Sequence, residues 1–401
     1  MAIIQQHLLH RRLRLNGTWT VTQDDDLPTV DGTRALTANR TTTNKWTILG
    51  QGDMSGGGDE QSQINSTNNG VSWSESGISQ VGYGNDAYES PKKIMWNGST
   101  SSPRWMSGNV FYPDSDTTTS GGSKPTILTT TNLTSWSRLL LPIDNTYGTS
   151  TINQGIEAVA YNNGTWAAIN SASGNCTTSS NNGSSWSSYA VTMGGYIPCH
   201  TIIPGASGEF VAAGQFGKLG YSSNSGSSFT VNQLGPVNSN KKRWLNGNYF
   251  TYPINVGNTK IGPNVWVFYG SQYYNAYTAD FEILCYSTDG TTWTELNVNT
   301  DDSNQVTNRP YPGTRFDQNW RTILDTGEGL WLQWLKNDGT WQLWGSYHSL
   351  TDWFYIIDEP SGSYFGSDIS WLNRDWGFDY WNRRLVNGSN SGHICYLDFT
   401  F

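Results

Sequence analysis

Charge is what this chain has little of. Lys, Arg, Asp and Glu make up only 14% of its 401 residues, and the balance is acidic, with a formal net charge of −9 and a pI near 5.0. An acidic exterior repels polyphosphate, which excludes nucleic acid as a partner of the surface as a whole. Long apolar runs are missing too: no stretch reaches the roughly 18 residues that a membrane-spanning helix needs, so no membrane insertion is expected. The four cysteines, Cys176, Cys199, Cys285 and Cys395, are too few for a disulfide framework and form no Cys-x-x-Cys pair, so they read as reduced core thiols. His7, His10, His200, His348 and His393 show no metal-ligand spacing, and neither a metal nor a cofactor is expected. There is no Gly-x-Ser-x-Gly elbow, phosphate loop or dinucleotide fingerprint; the glycines of Asp53 to Asp59 read as a loop. At the N-terminus, Arg11, Arg12 and Arg14 follow a broken apolar patch instead of preceding one, so no secretory signal is read there.

What is present is aromatic. Hydrophobic residues reach only 35%, yet the chain holds 20 Trp, 21 Tyr and 44 Gly, and a disordered chain of similar polarity would be poor in such rings. Large rings among abundant Ser, Thr, Asn and Gly point to many short strands, an all-β repeat array.

The repeat can be read directly. A hydroxyl residue is followed two places on by Asn or Asp, then by Gly, then by Trp or Phe. Full copies run through Ser66, Asn68, Gly70 and Trp73, through Ser179, Asn181, Gly183 and Trp186, and through Ser222, Asn224, Gly226 and Phe229. A shorter copy holds Ser287, Asp289, Gly290 and Trp293; another, without the glycine, holds Asn132 and Trp136; a degenerate one spans Ser346 to Trp353. Asn and Asp side chains bond the backbone two residues on, Gly accepts positive φ, and the ring anchors the strand that follows. Each copy therefore predicts a tight turn between two strands.

At these residues the chain resembles the Asp-box (BNR) repeat, Ser-x-Asp-x-Gly-x-x-Trp, of sialidase-like β-propellers, with Asn mostly in place of Asp. The resemblance implies a turn between the third and fourth strands of each blade, on the face away from substrate. Upstream of the boxes lie apolar strand pairs joined by Gly turns, such as Glu157 to Ile169, Thr201 to Ala213 and Thr322 to Trp334. Box aromatics recur every 43 to 64 residues, the length of a four-stranded blade with variable loops. The expected fold is a single β-propeller of seven four-stranded blades, within 16–80, 90–143, 155–193, 200–235, 241–298, 320–358 and 368–401. Six blades result if Thr18 to Met54 is an insertion.

The last unit reads as three strands, at Asp368 to Asn373, Trp376 to Trp381 and His393 to Phe399, with no box after Cys395. An open edge invites aggregation. The expected remedy is an N-terminal segment, residues 1–15, that closes the ring through Ala2 to Leu9 or Arg12 to Leu15, ahead of a propeller spanning 16–401. The alternative is a docking peptide.

If boxes mark one face, long loops mark the other, and loops on a rigid scaffold carry binding. Candidate ligand-binding residues there are Tyr112, Tyr147, Tyr196, Tyr273, Tyr274, Tyr277, Tyr311 and Arg309, tyrosine-rich in the manner of an adaptable paratope. Catalytic residues are not assigned. The sialidase resemblance implies an arginine trio, of which only Arg309 and Arg315 fall in the expected loops, and no two loop carboxylates are paired by the sequence as glycoside hydrolysis requires. The composition resembles that of tailed-bacteriophage structural proteins. It implies a non-enzymatic virion protein, on a tail or capsid surface, with other virion proteins and a host-surface glycan as partners. The alternatives are an extracellular Asp-box glycoside hydrolase and an intracellular assembly factor.

Overall fold

The computed structural model describes residues 14–23, 33–38, 44–50, 62–77, 88–112, 124–143, 155–170, 173–187, 190–191, 199–214, 217–234, 241–274, 278–296, 323–327, 329–337, 340–360, 376–388 and 394–400. Strand β1 is Arg14–Gln23. Sheet I is β2 (Thr33–Ala38), β3 (Trp46–Gly50), β4 (Ser62–Ser66) and β5 (Ser74–Gly77). Sheet II is β6 (Tyr88–Trp96), β7 (Trp105–Tyr112), β8 (Lys124–Thr130) and β9 (Ser137–Leu140). Sheet III is β10 (Ile156–Asn162), β11 (Thr165–Asn170), β12 (Asn175–Ser179) and β13 (Ala190–Val191). Sheet IV is β14 (Cys199–Pro204), β15 (Phe210–Gly214), β16 (Lys218–Ser222) and β17 (Thr230–Gln233). Sheet V starts with β18 (Lys241–Phe250), inserts a hairpin of β19 (Ile254–Val256) and β20 (Thr259–Ile261), and continues with β21 (Val265–Tyr274), β22 (Thr278–Ser287) and β23 (Thr294–Leu296). Sheet VI is β24 (Leu324–Asp325), β25 (Trp331–Asn337), β26 (Thr340–Ser346) and β27 (Phe354–Asp358). Sheet VII is β28 (Trp376–Asp379), β29 (Arg384–Gly388) and β30 (Ile394–Thr400), completed by β1 on the outer side of β30.

The described residues thus form an all-β β-propeller with seven antiparallel four-stranded sheets. First strands of successive sheets run against one another, β2 along β6, β6 along β10, β10 along β14, β14 along β18, and β28 along β2. They form the inner edge on which the sheets converge.

Seven apolar clusters fill the spaces between sheets, and each draws on two sheets that follow one another. Strand β11 explains how. Side chains alternate along a strand, so Trp166 and Ala168 join the cluster shared with sheet II, while Ala167 and Ile169 join the one shared with sheet IV. Both faces are covered, and every residue of β11 is buried. This is why the inner strands read as continuous apolar runs instead of alternating ones. The box aromatics Trp73, Trp136, Trp186, Phe229, Trp293 and Trp353 each pack into one of these clusters.

Three expectations need correction. The strand paired to β30 is Arg14–Gln23, with Arg14 opposite Thr400 and Val21 opposite Cys395, so residues 16–23 belong to the last sheet and not to the first. Ala2 to Leu9 lies outside the described residues. In sheet VII, Trp376 to Trp381 is a strand only to Asp379: the Asp379 carboxylate accepts from the Trp381 amide at 2.8 Å, Arg383 takes φ 52°, and the chain turns into a strand, β29, that the apolar pattern hid. Finally, β7 runs to Tyr112 and β21 to Tyr274, so Tyr112, Tyr273 and Tyr274, expected in loops, stand in strands. Tyrosine suits a pleated strand, and these hairpins lengthen.

Candidate functional site

The box turns lie between third and fourth strands in sheets I to VI. In the full copies the serine hydroxyl accepts from the glycine amide, Gly70 to Ser66 at 2.8 Å, Gly183 to Ser179 at 2.9 Å and Gly226 to Ser222 at 3.0 Å. The Asn Oδ1 accepts from the amide four residues on, Ser72, Ser185 and Ser228, at 2.9 to 3.0 Å. In the short copies Asp289 takes the amides of Thr291 and Thr292, and Asn132 takes those of Thr134 and Ser135. The glycine is needed twice over at Gly226: φ is +78°, and a Cβ would stand 2.7 Å from Thr178 of sheet III. Where Leu133 replaces glycine, its carbonyl accepts from Thr47 and Gln63 of sheet I instead. The boxes therefore cap turns and dock each sheet on the one before it.

The degenerate copy is braced from outside. Ser349 stands in for the usual Asn, its hydroxyl accepting from the Thr351 and Asp352 amides, and the β19–β20 hairpin bonds this turn through Asn255 to His348 and Leu350. Beside it Tyr252 donates to Asp325 at 2.5 Å, accepts from the Trp331 indole at 2.7 Å and stacks on His348. Burial, reinforced by Asp325, pushes the Tyr252 phenol up, and burial pulls His348 down. Both groups are held neutral near neutral pH, the phenol hydrogen-bonded and the imidazole stacked, which suits a brace and not a nucleophile.

Of the candidate ligand-binding residues, Tyr112, Tyr273 and Tyr274 stand in strands, at the far ends of β7 and β21 from the boxes. Tyr147, Tyr196, Tyr277, Tyr311 and Arg309 lie outside the described residues.

A different set of residues is brought together on the inner strands. In sheet I, Thr33 faces Gly50 and Ala35 faces Leu49, leaving Arg34 as an extra residue. In sheet III Glu157 is extra between Ile156 and Ala158, and in sheet IV His200 is extra between Cys199 and Thr201. In sheet II the ladder jumps from Pro91 opposite Asn109 to Ile94 opposite Ser107, so Lys92 and Lys93 share Gly108. Measured from the buried aromatic at or next to the start of each second strand, Trp46, Trp105, Trp166 or Phe210, all four bulges fall opposite the third to fourth residue after it. A β-bulge re-aims a side chain and commonly sits beside a site. Four consecutive inner strands thus bulge at one height, and every bulged residue is ionisable.

The chain stabilises these bulges locally. The buried Ser107 hydroxyl accepts from the Lys92 amide at 3.0 Å and donates to the Lys92 carbonyl at 2.5 Å, replacing ladder bonds that the bulge breaks. The Cys199 thiol donates to the Ala213 carbonyl at 3.1 Å, and burial pushes that thiol up, away from any thiolate chemistry. Gly108 lets sheets II and III meet backbone to backbone, since a Cβ there would stand 2.5 Å from the Ile156 carbonyl oxygen. Across the belt the Lys92 ammonium lies 3.3 Å from the Glu157 carboxylate, with side chains 17% and 9% exposed. Toward the same end, β18 opens with Lys241, Lys242 and Arg243.

Among the described residues, the inner strands carry at this end six basic positions, Arg34, Lys92, Lys93, Lys241, Lys242 and Arg243, against Glu89 and Glu157. The sequence pattern hides them: Glu157 stands at the head of an apolar run, Glu157 to Ile169, and His200 just ahead of another, Thr201 to Ala213. The usable signal was an ionisable residue just ahead of an apolar strand, repeated in Arg34-Ala-Leu, Lys93-Ile-Met, Glu157-Ala-Val and His200-Thr-Ile.

No protein-family model and no curated protein matches the chain. Solved structures do. YCF48 from Cyanidioschyzon merolae aligns at a TM-score of 0.50 and 12% identity, covering 95% of this chain and 99% of that one. YCF48 bound to D1 peptide aligns at 0.50 and 13%, covering 96% of each. The xyloglucanase of family GH74 from Xanthomonas campestris aligns at 0.52 and 10%, with 96% of this chain matching 55% of that one. Virginiamycin B lyase from Staphylococcus aureus aligns at 0.53 and 10%, covering 95% and 99%. These neighbours are β-propellers, and at such identities they show the fold alone.

Proposed function

We propose that this chain is a non-enzymatic binding propeller, a structural protein of a bacteriophage virion that holds a partner at the inner mouth opposite the boxes. The observation that carries the reading is the belt of bulged residues: it is mostly basic, and the carboxylate among those residues, Glu157, is already engaged by Lys92. Glycoside hydrolysis needs two carboxylates flanking the bond; holding a partner does not. The peptide-bound YCF48 structure supports a protein as the kind of partner a propeller of this shape takes. The low charge and the wealth of Ser, Thr, Asn, Gly and aromatic residues support a virion surface on tail or capsid, serving assembly or contact with a host glycan.

The test is to raise antibody to the chain and follow it through a density gradient of particles from the source culture. Co-sedimentation with intact particles is the expected result, and its absence sinks the virion reading. Incubation with a panel of oligosaccharides is expected to leave them intact. Release of a reducing sugar would favour the glycoside-hydrolase alternative, and recovery of the chain only from the cytoplasm would favour an assembly factor.

A further inference from the structure

We propose that the turn from β28 to β29, on the box side of sheet VII, is a contact site for a neutral sugar residue of a glycan, received by the rings of Tyr380 and Trp381. The inference lies away from the inner mouth and rests on the glycan-contact part of the reading above, to which it gives a place and a chemistry. Among the described tryptophans Trp381 is the exposed one, at 62%, and Tyr380 beside it is 47% exposed. Their centroids are 5.7 Å apart and their planes cross at 85°, so the two rings form a step. The turn itself does not need them. The equivalent first turns of sheets II, III, IV and VI, at 97–104, 163–164, 205–209 and 326–330, carry no aromatic residue. Exposed rings set side by side where the fold does not require them mark a surface kept for a ligand.

The step is fixed by its own sheet and by both neighbours. The buried Asp379 carboxylate accepts from the Trp381 amide at 2.8 Å and from the Asn382 side chain at 2.5 Å. That Asn382 nitrogen also donates to Asn44 of sheet I at 2.9 Å, and the Tyr380 ring lies against Gly327 of sheet VI, where a Cβ would stand 3.2 Å from it. A site ordered in advance loses little entropy on binding. Among the described residues, the Tyr380 phenol, the Trp381 indole N–H, the Asn382 side-chain oxygen and the Asn44 side-chain nitrogen have no hydrogen-bond partner. These groups donate and accept without charge around an apolar ring face. A pyranose is their complement, with a C–H face to lie on a ring and hydroxyls to meet the amides and the phenol. Size points the same way: two partly exposed rings fall far short of the roughly 800 Å² per partner that a stable protein interface buries, whereas one ring face matches one pyranose. A single step binds weakly, so recognition needs several chains side by side, as on a particle surface.

The test is biolayer interferometry of the intact chain on lactose, maltose, cellobiose and N,N′-diacetylchitobiose, each displayed in many copies on polyacrylamide. At least one conjugate is expected to bind, with a response that salt leaves unchanged. Trp381→Ala should lower that response at least tenfold, and Trp381→Phe, which keeps a ring, should lower it less; both should keep the wild-type thermal transition, because the side chain is exposed. Leu140→Ala, at an apolar residue of β9 that is 61% exposed, should leave the response as it is. Binding to none of the four, or binding that ignores Trp381→Ala, overturns the proposal. Binding that collapses with salt also overturns it, since the ligand would then be met by charge. So does sedimentation in which the chain self-associates and Trp381→Ala does not, which would give the step to a second copy. The two readings fail separately. Trp381-dependent sugar binding by a chain absent from particles defeats only the virion reading; a particle-borne chain whose sugar binding ignores Trp381 defeats only this one.

Discussion

Six sheets are made one way and the seventh another. In sheets I to VI a buried ring at the first or second residue of the second strand stands opposite the first box residue: Trp46 with Ser66, Trp105 with Thr130, Trp166 with Ser179, Phe210 with Ser222, Trp266 with Ser287 and Trp331 with Ser346. In sheet VII the corresponding pair is Arg384 with Asp398. The guanidinium meets the carboxylate through two bonds at 2.6 and 2.7 Å, lies 3.6 Å over the Tyr396 ring and donates to the Asn69 carbonyl of sheet I. The fourth strand of sheet VII is β1, from the other end of the chain, so no box turn links it to β30. Trp19 of β1 stacks on Trp334 and donates to the Asp358 carbonyl of sheet VI, while Thr22 accepts from the box ring Trp73 of sheet I. A hairpin turn is local and cheap to close; a strand brought from far away in sequence must recover its closure entropy through contacts on both sides.

The largest test of this contrast is removal of the far strand. A chain truncated through Gln23 is expected to lose its cooperative thermal transition and scatter light on warming, because β30 becomes an open edge and Trp334 loses its stacked partner. An unchanged transition would show that sheet VII stands without β1. Next in size, Trp166→Ala should cost about 3 to 5 kcal/mol in denaturant unfolding, as loss of a fully buried ring does. Arg384→Ala should cost less, about 1.5 to 3 kcal/mol, the range for hydrogen bonds to charged groups. Equal costs would erase the distinction between ring-anchored and ion-anchored sheets. A smaller effect is expected at a single box: Asn181→Ala, which strips a cap from the Ser185 amide, should lower stability by about 0.5 to 2 kcal/mol.

The smallest effect separates Asp289 from the four Asn boxes. Burial raises the Asp289 carboxyl, but hydrogen bonds from Thr292 and Thr291 overcome it and hold it well below its usual value of 3.8. A depressed folded value means that the contribution is complete above the unfolded value and is lost as pH falls toward the folded one. Wild type should therefore lose a share of melting temperature between about pH 5 and about pH 2 that Asp289→Asn does not lose. Parallel pH profiles for the two proteins would show that the carboxylate adds nothing beyond what Asn supplies.

The boxes were legible in the sequence because each is a closed local system: Ser179, Asn181 and Gly183 satisfy one another's bonds within five residues. Strand pairs such as Glu157 to Ile169 were legible for the same reason, through the Asn163-Gly164 turn with both residues at positive φ. The belt was not. A bulge is a property of two strands in register, and nothing in Ile156-Glu157-Ala158 alone says that Asn170 and Ile169 will skip the middle residue. That Arg384 and Asp398 replace a ring and a hydroxyl was likewise hidden, since their pairing depends on β29 and β30 meeting. By itself the sequence determined the turns, the aromatic anchors and the all-β repeat, because hydrogen bonds and side-chain alternation within a few residues decide those. Tertiary structure alone decided which charges share one height on the inner edge and which distant strand completes the last sheet, because both depend on register between segments that the chain does not join locally.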